Sequence, residues 1–63
     1  MCLATAYREQ PQAENLVMNN VQRIECHDGQ VFLTDLMDRQ VVIEGELVLA
    51  DLVENVVVVH ERR

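Results

Sequence analysis

The chain has 63 residues, of which 49% are hydrophobic and only 3% aromatic, and its eleven acidic residues face five arginines and no lysine, which gives a net charge of −6. A chain of this length forms one domain, residues 1–63, with a small core, because it buries only ~60% of its unfolded surface. The charge and the shortage of aromatic rings argue against nucleic-acid binding, and the charge also argues against anionic membrane surfaces.

The first predicted strand runs from Cys2 to Glu9. Within it, the small residues Cys2, Ala4 and Ala6 alternate with Leu3, Thr5 and Tyr7, as the two faces of a strand would. Pro11 ends it, because proline donates no ladder hydrogen bond. The next segment, Ala13 to Asn19, fits either one helical turn or an extended stretch, and its sequence leaves both open.

A hairpin is predicted in the middle of the chain. Val21 to His27 forms its first strand, Gln30 to Leu36 its second, and Asp28-Gly29 the turn between them. A type I′ turn needs positive φ at both central residues, which aspartate and glycine tolerate.

The second half of the chain predicts further short strands separated by turns. These elements are a turn at Met37-Asp38-Arg39, a strand at Gln40 to Glu44 stopped by Gly45, a strand at Glu46 to Ala50 and a polar bend at Asp51 to Asn55. About five or six short strands with tight turns predict an all-β protein, a small partly open β-barrel.

Four consecutive valines, Val56 to Val59, follow the last bend. Such a strand is apolar on both faces, so it must be covered by barrel closure or by a second subunit. A core of this size rarely contributes more than ~3–5 kcal/mol by itself. We therefore expect a homodimer, with the valine strand as the candidate interface.

Enzymatic catalysis is not expected. The sequence has no serine, no lysine and no glycine-rich loop, which removes serine hydrolysis, Schiff-base chemistry and phosphate binding. The acidic residues lie mostly at predicted strand ends and turns, so we assign them to a solvated acidic surface.

The N-terminus lacks the basic segment and apolar run of a signal peptide, so we expect a cytoplasmic protein with reduced thiols. Removal of Met1 would leave Cys2 with a free amine beside its thiol. Amine and thiolate form a chelate whose nitrogen and sulfur donors suit planar Ni(II). From the residues alone, a structural or incidental role for Cys2 stays open.

Other candidate ligands receive simpler interpretations. Cys26 alternates with Ile24, which predicts a small buried side chain. Its neighbour His27 points to the opposite face and to solvent, and His60 is expected at the surface. Met18 and Met37 are expected in the core.

Four blocks of the sequence resemble the CooT family. They are Met1 to Ala4, Glu14 to Gly29, Val31 to Leu36 and Ala50 to Val58, which together span most of the chain. The resemblance implies a small cytoplasmic nickel-binding homodimer, linked to nickel delivery to carbon monoxide dehydrogenase. It also implies that Cys2, directly after the initiator methionine, is the Ni(2+) ligand. Some family members carry an RNA-binding label, which the charge of this chain does not support.

A second resemblance is to the HypC family of hydrogenase maturation chaperones, which also begin Met-Cys-Leu-Ala. Those proteins usually continue Ile-Pro-Gly and are longer, whereas this chain continues Thr5-Ala6-Tyr7. A third hypothesis, independent of metals, is an interaction module whose acidic surface binds a basic partner.

Overall fold

The structure is a computed structural model that describes residues 3–62, and these residues form five strands and one short 3-10 turn. The elements in chain order are β1 (Ala4–Arg8), the 3-10 turn (Ala13–Asn15), β2 (Leu16–His27), β3 (Gln30–Asp35), β4 (Gln40–Asp51) and β5 (Val56–Glu61). The all-β prediction is confirmed. The segment Ala13 to Asn19, for which the sequence allowed a helical turn or an extended stretch, contains both, because the 3-10 turn leads directly into β2.

The strands form a closed ring in chain order, from β1 through β5 and back to β1. Successive strands are antiparallel, while the pairing that closes the ring, β5 with β1, is parallel. That closing pair runs from Thr5 opposite Val56 to Arg8 opposite Val59. The barrel is therefore closed where the sequence predicted a partly open one, because closure gives each strand two neighbours.

The valine run is covered by this closure. Val57, Val58 and Val59 are at most 3% exposed within a single chain, because β5 lies between β1 and β4. The prediction that a dimer interface lies on these valines is wrong, because almost none of their surface is left exposed for a second subunit.

The core consists of apolar side chains contributed by all five strands. It comprises Ala6, Met18, Val21, Val31, Leu33, Ile43, Val57 and Val59. Met18 is buried as predicted, but Met37 is 72% exposed. Met37 lies in the β3–β4 turn, where no second layer covers the chain.

Gly45 does not stop a strand, contrary to the sequence prediction. β4 continues through it, pairing with β3 up to Glu44 and with β5 from Gly45 onward. The glycine is required by packing: a Cβ at this position would lie 1.8 Å from the carbonyl oxygen of His60. Gly45 therefore lets β4 pass from one neighbouring strand to the next.

The β2–β3 turn has the predicted positive φ at both central residues, 54° at Asp28 and 72° at Gly29.

The β3–β4 turn is held by Asp35. The side chain of this residue is 6% exposed, so the expectation that the acidic residues form a solvated surface does not hold for Asp35. Its carboxylate accepts hydrogen bonds from the backbone amides of Met37 and Arg39 and from Nε of Arg39, each at 2.9 Å. Burial alone would raise the pKa of Asp35, but these donors outweigh it and lower that pKa.

The packing at Gly45 can be tested by substitution. Gly45→Ala should lower the free energy of unfolding by about 3 kcal/mol, because the added methyl group meets backbone that cannot move aside. Gly29→Ala is the matched control: its φ is positive, but the nearest obstacle is the flexible Arg62 side chain, so the loss should be about 1 kcal/mol. Urea unfolding measures both, and equal losses would contradict the role given to Gly45.

Candidate metal site

The predicted ligand Cys2 lies outside the described residues, and the chain is described from Leu3 onward. Ala4 begins β1, pairs with Val21 of β2 and lines a cavity of about 220 Å³ together with Leu52 of the β4–β5 turn. The backbone amide of Thr5 donates to the carbonyl of Asn55 at 3.0 Å, which fixes this end of β1 to the same turn.

Cys26 is exposed, which corrects the prediction that it is buried. It pairs with Val31, a core residue, so its side chain is on the inner side of the sheet as its alternation with Ile24 predicted. However, β1 pairs with β2 only as far as Val21, so nothing in residues 3–62 pairs with the other edge of β2 beside Cys26. Closeness to the hairpin turn was the sequence signal for this exposure.

His27 is exposed as predicted, and its ring stacks on that of Phe32 with centroids 4.5 Å apart and an interplanar angle of 16°. Phe32 and Val31 are neighbours on β3, so their side chains leave opposite faces of the sheet. Because Cys26 pairs with Val31 and His27 stacks on Phe32, the two candidate ligands are on opposite faces.

His60 is exposed, as predicted, and it makes a contact that the sequence did not reveal. Its Nδ1 donates to Oε1 of Glu9 at 2.9 Å, while the backbone amide of Glu61 donates to Oε2 of Glu9 at 3.0 Å. Beside them, Nε of Arg8 donates to the Glu61 carboxylate at 2.7 Å. These contacts join the end of β1 to the end of β5, and the Glu9 carboxylate accepts the hydrogen bond of His60 Nδ1.

Both groups of the Glu9–His60 pair titrate differently from free side chains. The hydrogen bond to Glu9, and its negative charge, raise the pKa of His60 above the usual 6.5. The hydrogen bonds from His60 and from the Glu61 amide lower the pKa of Glu9 below the usual 4.5. Each charge therefore favours the charged form of the other group.

No group of three or more histidine, cysteine, aspartate or glutamate side chains within residues 3–62 is arranged to hold a metal ion. Cys26, His27 and His60 therefore do not form a complete metal site among themselves. Any one of these three side chains could bind a metal ion only together with donors outside this set.

Within the same residues, no helix is long and apolar enough to cross a membrane.

Comparisons with known proteins agree with the fold and with the sequence resemblance. Residues 1–60 match the model of the family described as "CooT: CO dehydrogenase accessory protein CooT". A crystal structure described as "putative CooT from Carboxydothermus hydrogenoformans" superposes with a TM-score of 0.83 and 18% sequence identity, over 98% of this chain and 100% of that one. At this identity the likeness establishes the fold. A search of curated proteins found no match.

The Glu9–His60 contact predicts a specific dependence of stability on pH. Because the pKa of His60 is raised, its contribution is full below 6.5 and is lost as the pH rises through the raised value. Because the pKa of Glu9 is lowered, its contribution is full above 4.5 and is lost as the pH falls through the lowered value. The contact therefore stabilises the fold most between these two ordinary values.

His60→Gln and Glu9→Gln remove the charge from either side of this contact; Glu9→Gln also keeps the side-chain shape, and His60→Gln keeps a polar side chain. The loss of unfolding free energy relative to the wild type should be largest between the ordinary values of 4.5 and 6.5 and should shrink as the pH rises through the raised pKa of His60. Urea unfolding across this range measures it. A loss that stays constant with pH in both variants would contradict the ion pair.

Proposed function

The chain belongs to the CooT family, and on this premise we propose that it is a homodimeric, cytoplasmic nickel-binding accessory protein for carbon monoxide dehydrogenase. The observation that supports this is the family match over residues 1–60, which includes Cys2. In this role nickel is cargo: the protein holds the ion and releases it to the maturing enzyme or to its accessory proteins. No catalytic step is assigned to the chain itself.

Cys2 is the residue we assign to the metal. After removal of Met1, its α-amine and its thiolate would bind one ion through a five-membered chelate ring. Two copies of this pair, one from each subunit, would supply two nitrogen and two sulfur donors. That set suits square-planar Ni(II) and suits tetrahedral Zn(II) poorly.

The geometry of the other candidates favours Cys2 indirectly. His60 is held by Glu9, and His27 is stacked on Phe32 on the face opposite Cys26. The Glu9 contact uses Nδ1 of His60 and leaves Nε2 as its metal-binding nitrogen. No group of three or more histidine, cysteine, aspartate or glutamate side chains within residues 3–62 is arranged to hold a metal ion, so neither histidine forms such a site with Cys26.

Nickel binding by matched cysteine variants tests the site. Wild-type protein should bind one Ni(II) per dimer, Cys2→Ser should lose this binding, and Cys26→Ser should keep it, because among residues 3–62 no group of three or more ligating side chains includes Cys26. Titration followed by thiolate-to-nickel charge-transfer absorption measures all three. Affinity should also fall as the pH drops, because protons compete for the thiolate and the amine. Stoichiometric binding by Cys2→Ser, or its loss in Cys26→Ser, would contradict the assignment.

The accessory role predicts an interaction that depends on the cargo. Tagged wild-type protein loaded with nickel should retain carbon monoxide dehydrogenase, or its accessory proteins, from an extract of cells that make the enzyme. Cys2→Ala protein should retain less, while Cys26→Ser should match the wild type. Equal retention by all three, or none by the wild type, would count against the delivery role.

A further inference from the structure

A cavity of about 440 Å³ lies beside the β3–β4 turn, at the end of the barrel where β2 and β4 begin and β3 ends. One wall is formed by β2, from Val17 to Asn20. Asp35 at the end of β3, Arg39 in the turn and Val41 on β4 complete the lining. Cavities of this volume at the ends of β-barrels are common ligand sites. This one shares no lining residue with the metal site proposed above.

The β2 wall of this cavity has a strand edge without a partner. β1 pairs with one edge of β2 from Leu16 to Val21, whereas β3 pairs with the other edge only from Val21 onward. On that second edge, no strand within residues 3–62 pairs with Leu16 to Asn19. The backbone groups that point away from β1 in these four residues are therefore free to pair with an added strand.

The free edge is blocked at one end. The backbone amide of Leu36 donates to the carbonyl of Asn20 at 2.9 Å, so the β3–β4 turn occupies the edge directly after its free part. A strand added beside Leu16 to Asn19 cannot continue past Asn20. A chain that pairs with this edge must therefore turn away or end at the cavity.

Arg39 lies at this blocked end with donors to spare. The buried Asp35 carboxylate accepts from Nε of Arg39 and from two amides of the turn, so three donors compensate its charge. Within residues 3–62, no acceptor bonds the two Nη groups of Arg39. The exposed side chains of Asn19 and Asn20 add carboxamide donors to the lining. A guanidinium held in place by a buried acid, with amides beside it, matches a carboxylate.

The remaining lining of the cavity is apolar. Val17 and Val41 are half-buried, and Met18 is buried. A group that places a carboxylate on Arg39 would therefore rest an apolar side chain on these three residues.

We propose that this cavity and the free edge of β2, together called the β2 groove, bind the C-terminal segment of a partner protein. The last four residues of the partner pair with Leu16 to Asn19, and the terminal carboxylate binds Arg39. Addition of a strand to a sheet edge and capture of a terminal carboxylate are both common in peptide recognition.

The groove selects a chain end and a direction. Because the edge is blocked after Asn20, the occupant ends there, and because Arg39 lies at that end, the chain end is a carboxylate. The bound segment therefore runs parallel to β2, with an apolar last residue on Val17 and Val41. The groove includes none of the proposed metal ligands, so this inference does not depend on nickel binding.

A four-residue peptide tests the groove on the full-length protein. The probe is acetyl-Ala-Thr-Ala-Leu with a free carboxylate, and binding is followed through the backbone amide chemical shifts of the isotope-labelled protein. These shifts should change within residues 16–20 and 36–41. The same peptide ending in a carboxamide should bind at least ~10-fold more weakly, because it loses the charged contact with Arg39. Equal binding of the two peptides, or unchanged shifts up to ~1 mM free-carboxylate peptide, would overturn the proposal.

Methylation of the peptide backbone tests the pairing with β2. Only every second residue of an added strand directs its amide to the neighbouring strand. Methylating the amide nitrogen of the threonine or of the alanine after it should therefore give unequal results: one probe binds at least ~10-fold more weakly than the unmethylated peptide, the other within roughly twofold. Acetyl-leucine, which has the carboxylate but no strand, should also bind at least ~10-fold more weakly. Equal affinity of both methylated probes, or acetyl-leucine binding as tightly as the peptide, would contradict strand addition.

Matched variants test the charge of the groove. Arg39→Gln should weaken peptide binding at least ~10-fold, whereas Arg23→Gln, which removes the same charge outside the groove, should leave it unchanged. Asn19→Asp adds a negative charge at an exposed side chain of the groove, where folding is not at risk, and should also weaken binding. Gln12→Glu, also exposed but outside the groove, is its control. Equal effects within either pair of variants would overturn the role of Arg39.

The metal site is tested separately. Cys2→Ser should bind the peptide as the wild type does, because the groove contains no proposed metal ligand. Loss of peptide binding in Cys2→Ser would contradict the inference, whereas the nickel titration of the same variant tests only the proposed function.

Discussion

Parallel pairing between the last strand and the first is the constraint on which the rest of this structure depends. The valines of β5 are apolar on both faces, and only a position between β1 and β4 buries them within one chain. Because β1 and β5 lie at opposite ends of the sequence, their contact forms only when the intervening strands are in place. The Arg8–Glu61 and Glu9–His60 contacts then hold the two strand ends together.

Unequal strand lengths decide which surface this closure leaves uncovered. β2 and β4 have twelve residues each, whereas the other strands have five or six. Each long strand changes neighbours along its length or continues past the end of a neighbour. The portions that extend beyond carry the exposed Cys26 on β2 and the exposed Leu47, Val48 and Leu49 on β4.

The charge of the chain restricts the kinds of partner that it can bind. Each arginine in the described part of the chain contacts an acid or a carbonyl: Arg8 with Glu61, Arg23 with Glu25, Arg39 with Asp35 and Arg62 with Gly29. With a net charge of −6, such dispersed and occupied cations do not make a surface for phosphates. Arg23 also lines the cavity that the exposed Leu52 lines.

The sequence by itself determined the fold class, the type I′ hairpin at Asp28-Gly29, the need to cover the valines on both faces and, through a resemblance, the family. These follow from local chemistry: alternation, turn conformation and β-branched side chains act over a few residues. Only the tertiary structure decided that β4 runs through Gly45, that Asp35 is buried, that Cys26 is exposed and that His60 binds Glu9. Each of these depends on which strand lies beside another and where that strand ends. The pair Glu9 and His60, for example, is 51 residues apart, so no pattern of neighbouring residues reveals it.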